Sequence, residues 1–162
     1  MDGGFAQISH ACRCSTCSGG EIVYGSTLLH TVAMNIYCRN YKKLLKLIPT
    51  LLDIKTAAKL TAPGFMNLNV DILNRNHKKV VIALSHYYKH PSGDMIADPD
   101  ITMAVFTETE SVEVLTYQDC FGFRTVYSAD GKVFSPSTQK ELNSFLEQWL
   151  TNLAEQGHTL EN

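Results

Sequence analysis

Histidine and aspartate side chains gather between positions 86 and 100, and they come closest to a metal-binding set in this chain. The candidate ligands are His86, His90, Asp94, Asp98 and Asp100. Strand alternation puts His86, Tyr88 and His90 on one side, and the following loop brings the carboxylates back towards the strand end. Two imidazoles and a carboxylate can bind zinc or iron. The spacing matches neither a zincin nor an EF-hand loop, so an ordinary turn is the alternative interpretation.

A second group of soft ligands lies near the N-terminus. The group consists of His10, Cys12, Cys14 and Cys17, which could hold zinc. Their spacing lacks the two well-separated pairs of a zinc knuckle, which favours a cysteine-bearing tail without metal.

Five cysteines is an odd number, and the N-terminus lacks the basic and apolar regions of a secretory signal. We therefore expect reduced thiols and a cytoplasmic protein.

Nucleophilic catalysis would have to use Cys120, which follows Asp119, with His86 as a base close in space. A catalytic cysteine needs a base that lowers its pKa and donors for an oxyanion, and only the base is conceivable here. We therefore interpret Cys120 as a small core residue. The chain has no G-x-S-x-G, P-loop or G-x-G-x-x-G motif. We expect no cofactor, and the sequence favours a protein that is not an enzyme.

Aromatic side chains are frequent in the predicted strands. They are Tyr87, Tyr88, Tyr117, Phe121, Phe123 and Tyr127. On a sheet face such rings can stack bases or line a ligand pocket, but strands also favour aromatics for packing, and we expect most of them in the core. Two residues remain candidate ligand contacts: Tyr88, and Arg124, which stands beside Phe123 and could contact an anion.

The charge balance limits the partners. The chain has 14 Lys and Arg against 16 Asp and Glu, a net charge of −2, so it lacks the basic excess of a duplex-binding domain. This argues against a nucleic-acid partner. No apolar run approaches the roughly 20 residues that cross a bilayer, so we expect a soluble protein with no membrane partner. A protein partner and a homodimer stay open.

Periodicity predicts the elements of the first two-thirds of the chain. Apolar residues recur at helical spacing from Met34, and Pro49 should end or kink this helix. Between positions 66 and 127 the period changes to two, which predicts about five strands separated by short turns. A loop is expected from His90 to Asp100. The short links favour an antiparallel meander.

The last helix has the clearest signals. Pro136 suits its first position and Ser135 precedes it as a cap. Trp149 lies within an apolar stripe, so we expect it to be buried. Gly157 supplies a stop.

Together these patterns predict one α+β domain. The length of 162 residues fits a single domain. Residues 1–32, rich in Cys, Gly and Ser, are expected to form a flexible arm. Residues 33–162 are expected to place the N-terminal helix, the antiparallel meander of about five strands and the C-terminal helix around one core, with both helices on one sheet face.

The two helical segments also resemble a known family, the YqiB-like bacterial proteins of unknown function. The similar positions of the opening helix are Met34, Asn35, Tyr37, Cys38, Asn40, Tyr41, Leu44, Leu45, Leu47 and Pro49; those of the closing segment are Glu141, Leu142, Asn143, Phe145, Leu146, Trp149, Leu150, Gly157 and His158. Residues 100–106 and 112–115 are similar to its central strands. The resemblance implies a small cytoplasmic bacterial protein and carries over no functional residue.

The function that these observations favour is a non-enzymatic binding or regulatory domain. The alternative is a metal-dependent hydrolase that uses the region from His86 to Asp100.

Overall fold

Seven strands and two α-helices make up residues 34–161, the part of the chain that the computed structural model describes. In chain order the elements are α1 (Ile36–Leu47), a 3-10 turn (Leu51–Asp53), β1 (Ala57–Thr61), β2 (Leu68–Arg75), β3 (Lys79–Lys89), β4 (Met95–Phe106), β5 (Ser111–Asp119), β6 (Gly122–Thr125), α2 (Pro136–Glu155) and β7 (Thr159–Leu160). All strand pairs are antiparallel, in the order β6-β5-β4-β3-β2-β1-β7. The predicted α+β class and antiparallel sheet are therefore confirmed, and the prediction of five strands is wrong.

The two strands that periodicity missed lie together at one edge of the sheet. β1 reads Ala-Ala-Lys-Leu-Thr, and Ala and Lys have low strand propensity. β7 has two residues, too few to show a period. They pair through Leu60 and Leu160, so contacts between segments a hundred residues apart stabilise both strands.

The loop expected from His90 to Asp100 is mostly strand. β4 begins at Met95, and only the tip of the β3–β4 hairpin is a turn. Asp98 and Pro99 are joined by a cis peptide bond. The register between β3 and β4 shifts at the same place, between the Ser85–Asp100 pair and the Tyr87–Ala97 pair. Such a bulge lets a strand accommodate proline, which is why turn-type residues misled the prediction.

One face of the sheet contributes its side chains to the core. Val70, Leu84, Ile101 and Tyr117 stand in register across four strands and are buried in one cluster with residues of both helices. The helices contact each other, and both contact β5. Trp149 is buried in this cluster, which confirms the prediction made for it.

The signals at the ends of α2 are confirmed residue by residue. The Ser135 hydroxyl oxygen accepts a hydrogen bond from the Thr138 backbone N–H at 3.3 Å, and Pro136 is the first helical residue. Gly157 follows the helix with φ +79°, a conformation that glycine adopts without a Cβ clash. Pro49 likewise follows the end of α1 by two residues.

Candidate functional site

The five predicted metal ligands do not form one cluster. His90 and Asp94 stand in the exposed β3–β4 turn, where both contact the Ser92 hydroxyl, each at 2.9 Å. Asp98 belongs to β4 and lies close to Cys120, which is in the β5–β6 turn. Asp100 lies on β4, separated by β3 from Asp71 of β2, whose charge acts on it. Within residues 34–161, no three His, Cys, Asp or Glu side chains are close enough to hold a metal ion.

His86, the fifth predicted ligand, is buried on the core side of β3. Its Nδ1 lies 2.9 Å from the Asn67 carbonyl oxygen. Its ring centroid is 5.4 Å from that of Trp149, edge-on, and 5.9 Å from that of His158. Sequence reasoning did not pair the two histidines, because His158 follows the last helix and only the fold brings it to β3.

The second candidate cluster, His10 with its three cysteines, lies outside the described residues. The favoured metal-free tail, its zinc alternative and the flexible arm of residues 1–32 therefore stay predictions.

Cys120 is exposed in the turn between β5 and β6, so the prediction of a core residue is wrong. Partial desolvation and the nearby Asp98 carboxylate raise the pKa of its thiol. A catalytic cysteine needs the opposite shift, because the thiolate is the nucleophile. The neighbouring Asp119 carboxylate is occupied as an acceptor for the backbone N–H groups of Phe121 and Gly122, at 2.8 and 3.0 Å.

The two predicted ligand contacts are far apart in the sheet. Tyr88 pairs with Ile96 between β3 and β4, whereas Arg124 lies on β6 at the sheet edge. The Arg124 guanidinium lies 4.9 Å from the Tyr117 ring centroid and 2.8 Å from a Glu141 carboxylate oxygen. Burial and hydrogen bonding to Asp119 raise the pKa of Tyr117 to about 12, so this phenol is neutral at physiological pH.

Three exposed phenylalanines lie on and next to β6, two of them lining one cavity with Arg124. Phe121, Phe123 and Phe134, here called the phenylalanine surface, are 93%, 63% and 74% exposed. Phe123 belongs to β6, and Phe121 precedes it by two residues. Phe134 follows β6, where its backbone N–H donates to the Val126 carbonyl at 2.8 Å. Phe123 and Phe134 line one cavity of about 230 Å³.

The sequence predicted that most of the six aromatics from Tyr87 to Tyr127 lie in the core, and Phe121 and Phe123 depart from that prediction. β6 is an edge strand of four residues, so its alternating side chains have little to pack against. Edge position depends on tertiary pairing, which no local pattern reveals.

A second concavity lies on the sheet face opposite the core. This groove of about 460 Å³ is open to solvent and is lined by Lys59, Met66, Asn67, Asn69, Tyr87 and Met95. Its lysine forms an ion pair with Glu161 at 3.3 Å. The groove therefore presents amide and thioether groups rather than a free charge.

The fold is a small α+β domain that exposes several phenylalanine side chains. Residues 39–159 match the family described as a domain of unknown function, DUF6908, and the chain belongs to this family. No curated protein and no solved structure matches the chain. The YqiB-like resemblance, the bacterial origin and the cytoplasmic location stay predictions.

Neither helix among the described residues is long and apolar enough to cross a bilayer.

Proposed function

We propose that this protein is a non-enzymatic binding domain that holds an apolar segment of a partner protein on the phenylalanine surface. The exposure of its three rings carries the proposal. A fully buried aromatic side chain removes about 150–250 Å² from water, so exposing three of them, two at one cavity, is unfavourable for an isolated domain. Contiguous apolar patches of this kind mark contact sites.

The charges around the rings favour a partner with little net charge. Arg124 is paired with Glu141 at 2.8 Å, and Lys132 with Asp130 at 3.1 Å. Among the described residues, these pairs leave no free cation there to attract a polyanion, while the Asp119 carboxylate lies beside Phe121. Aliphatic and aromatic side chains are the natural complement of such a surface.

The position of the rings favours an extended segment. β6 is the edge strand on that side of the described sheet, and an extended peptide can add to an open sheet edge through backbone hydrogen bonds. The adjoining cavity of about 230 Å³ is below the roughly 300–1,000 Å³ of small-molecule sites. It suits one or two side chains of a peptide.

An enzymatic role finds less support. The raised pKa of the Cys120 thiol works against a nucleophile. The residues of the hydrolase alternative stand apart, with His86 against Trp149 and His90 in an exposed turn. No observation favours that alternative over a binding role.

A peptide selection tests the proposal. A phage-displayed random peptide library is panned on the full chain, and the affinity of the enriched peptides is measured by fluorescence polarisation. We expect peptides with at least two aliphatic or aromatic residues, whose affinity falls at least tenfold in Phe123→Ser and Phe134→Ser. Phe65→Ser, which alters an exposed phenylalanine before β2, is the matched control and should bind as the wild type does.

Three results would contradict the proposal. The first is a failure to enrich any peptide, and the second is equal affinity of the wild type and both variants. The third is a dimer in sedimentation equilibrium that Phe123→Ser dissociates, since a second copy would then occupy the surface.

A further inference from the structure

Two aspartates flank Ser85 of the central strand β3 on the sheet face opposite the core. Asp100 lies directly opposite Ser85, and Asp71 lies diagonally to it, two positions along the register. Asp71 of β2 pairs with Ala83 of β3, and Asp100 of β4 pairs with Ser85. Residues two apart on a strand point to the same face, and here that is the face away from core residues such as Leu84.

The polar groups at this place lack partners within residues 34–161. Neither the Asp71 nor the Asp100 side chain has a hydrogen bond or an ion pair there. The Ser85 hydroxyl is fully buried and has no hydrogen-bond partner. Groups of this kind are rare in folded proteins, because a buried polar atom without a partner is costly. The two carboxylates and the Ser85 hydroxyl all lack partners at one place, and this indicates a ligand that binds there.

The electrostatics of the pair point to a positive ligand. Burial, with the Asp71 carboxylate as the second cause, raises the pKa of Asp100. Lys59 is the nearest basic residue in register, opposite Asn69 of β2, but its ammonium group is directed to Glu161. The negative charge of the pair is therefore not balanced by the described part of the chain.

We propose that Asp71, Ser85 and Asp100 form a binding site for a hard divalent cation, magnesium or calcium. Carboxylate and neutral oxygen donors are what these ions prefer, and a site with two carboxylates leaves positions for several waters. Asn69 stands next to Ser85, its side-chain nitrogen 3.4 Å from the Ser85 carbonyl, and carries a further oxygen. The site differs from the histidine-rich set that the sequence suggested, of which it retains only Asp100.

Thermal unfolding measures binding directly. The full chain is freed of metal with EDTA, exchanged into buffer without chelator, and titrated separately with magnesium, calcium, manganese and zinc. Because an ion that binds only the folded state stabilises it by mass action, saturating magnesium or calcium should raise the Tm by about 5 °C or more. Whichever of the two gives the larger shift at the lower concentration is the preferred ion. Zinc also accepts carboxylate oxygens, so the assignment to a hard ion depends on the shift that magnesium or calcium gives.

Variants distinguish a cation site from a structural role. Asp71→Asn and Asp100→Asn should each abolish the ion-dependent shift, and Ser85→Ala should reduce it. In EDTA both asparagine variants should melt at or above the wild-type temperature, because the repulsion between the carboxylates is removed. Glu108→Gln changes an exposed carboxylate at the β4–β5 turn and should leave the shift intact.

The proposal is overturned if no ion shifts the wild-type transition. It is equally overturned if both asparagine variants respond as the wild type does, or if they unfold well below the wild type in EDTA, which would assign the carboxylates to folding alone.

Discussion

Among single residues, His86 shows how burial changes the role of a titratable group. Its position in the core against Trp149 desolvates the ring and lowers its pKa, an effect that outweighs the opposing hydrogen bond to the Asn67 carbonyl. The charge of nearby His158 lowers the pKa of His86 further. The folded state therefore favours the neutral form of His86. A neutral ring suits a residue that packs in the core better than one that transfers protons.

This shift predicts how stability depends on pH. Because the pKa of His86 is lower in the folded than in the unfolded state, the unfolded chain binds the proton more readily. The stabilisation is complete above the unfolded pKa, about 6.5, and is lost as pH falls towards the folded pKa. In urea titrations at pH 7.5, 6.5 and 5.5 we expect a loss below pH 6.5 of at most about 1.4 kcal/mol per pH unit.

His86→Gln is the variant that isolates this effect, because a glutamine amide can still donate to the Asn67 carbonyl but does not titrate. Its stability should fall less than that of the wild type between pH 6.5 and 5.5. His90→Gln, in the exposed turn, should follow the wild type. Parallel curves for the wild type and His86→Gln would show that His86 does not govern this pH range.

At the scale of elements, Asn143 connects α2 to both of its neighbours. Its side-chain oxygen accepts a hydrogen bond from the Val114 backbone N–H of β5 at 3.2 Å, where the register of β5 shifts. Its backbone carbonyl accepts from the Asn40 side chain of α1 at 3.0 Å. A polar residue inside the core thus satisfies a backbone donor at an irregularity of the strand.

We expect Asn143→Ala to lower the free energy of unfolding by about 1–3 kcal/mol, because it leaves the buried Val114 N–H without an acceptor. Chemical denaturation measures the change. Ser144→Ala, at the next and exposed position of α2, removes only a bond to the helix backbone and should change stability by less than about 0.5 kcal/mol. If Asn143→Ala lowered the free energy of unfolding no more than Ser144→Ala does, the hydrogen bond to β5 would contribute little.

The same pair of helices is also joined at its exposed side. The Glu147 carboxylate accepts from Arg39 at 2.8 and 3.0 Å and lies 3.4 Å from the Lys43 ammonium. These groups are solvent-accessible, and exposed ion pairs of this kind contribute little. The buried asparagine contact is therefore the better target for separating the helices.

On the scale of the whole molecule, the family match at residues 39–159 lies within the described part of the chain, residues 34–161. That part contains a core shared by both helices and the sheet. We therefore expect a chain lacking residues 1–32 to fold and to melt within about 5 °C of the full chain, about 1–2 kcal/mol for a domain of this size.

Calorimetry of the two chains at equal concentration checks this expectation. A chain that lacks only residues 1–10 serves as the control for shortening the N-terminus. A larger drop for the longer deletion would make the N-terminal residues part of the fold.

Local sequence alone determined the elements whose signals lie within a few residues of one another. Ser135, Pro136 and Gly157 marked the ends of α2, and the apolar period placed Trp149 in the core. Alternation likewise identified the central strands and hence the α+β class. These predictions succeeded because capping and side-chain period depend on the backbone conformation of adjacent residues.

Only the tertiary structure decided which strand lies at the edge and which residues meet across the sheet. β1 and β7 exist through their pairing with each other, and Phe123 is exposed because β6 is an edge strand. Asp71 and Asp100 are 29 positions apart, yet the register of β2, β3 and β4 brings them together. A period of two predicts on which alternate face a side chain lies, but not which strand will stand beside it. That choice depends on the packing of distant segments, and the candidate sites of this protein arise from it.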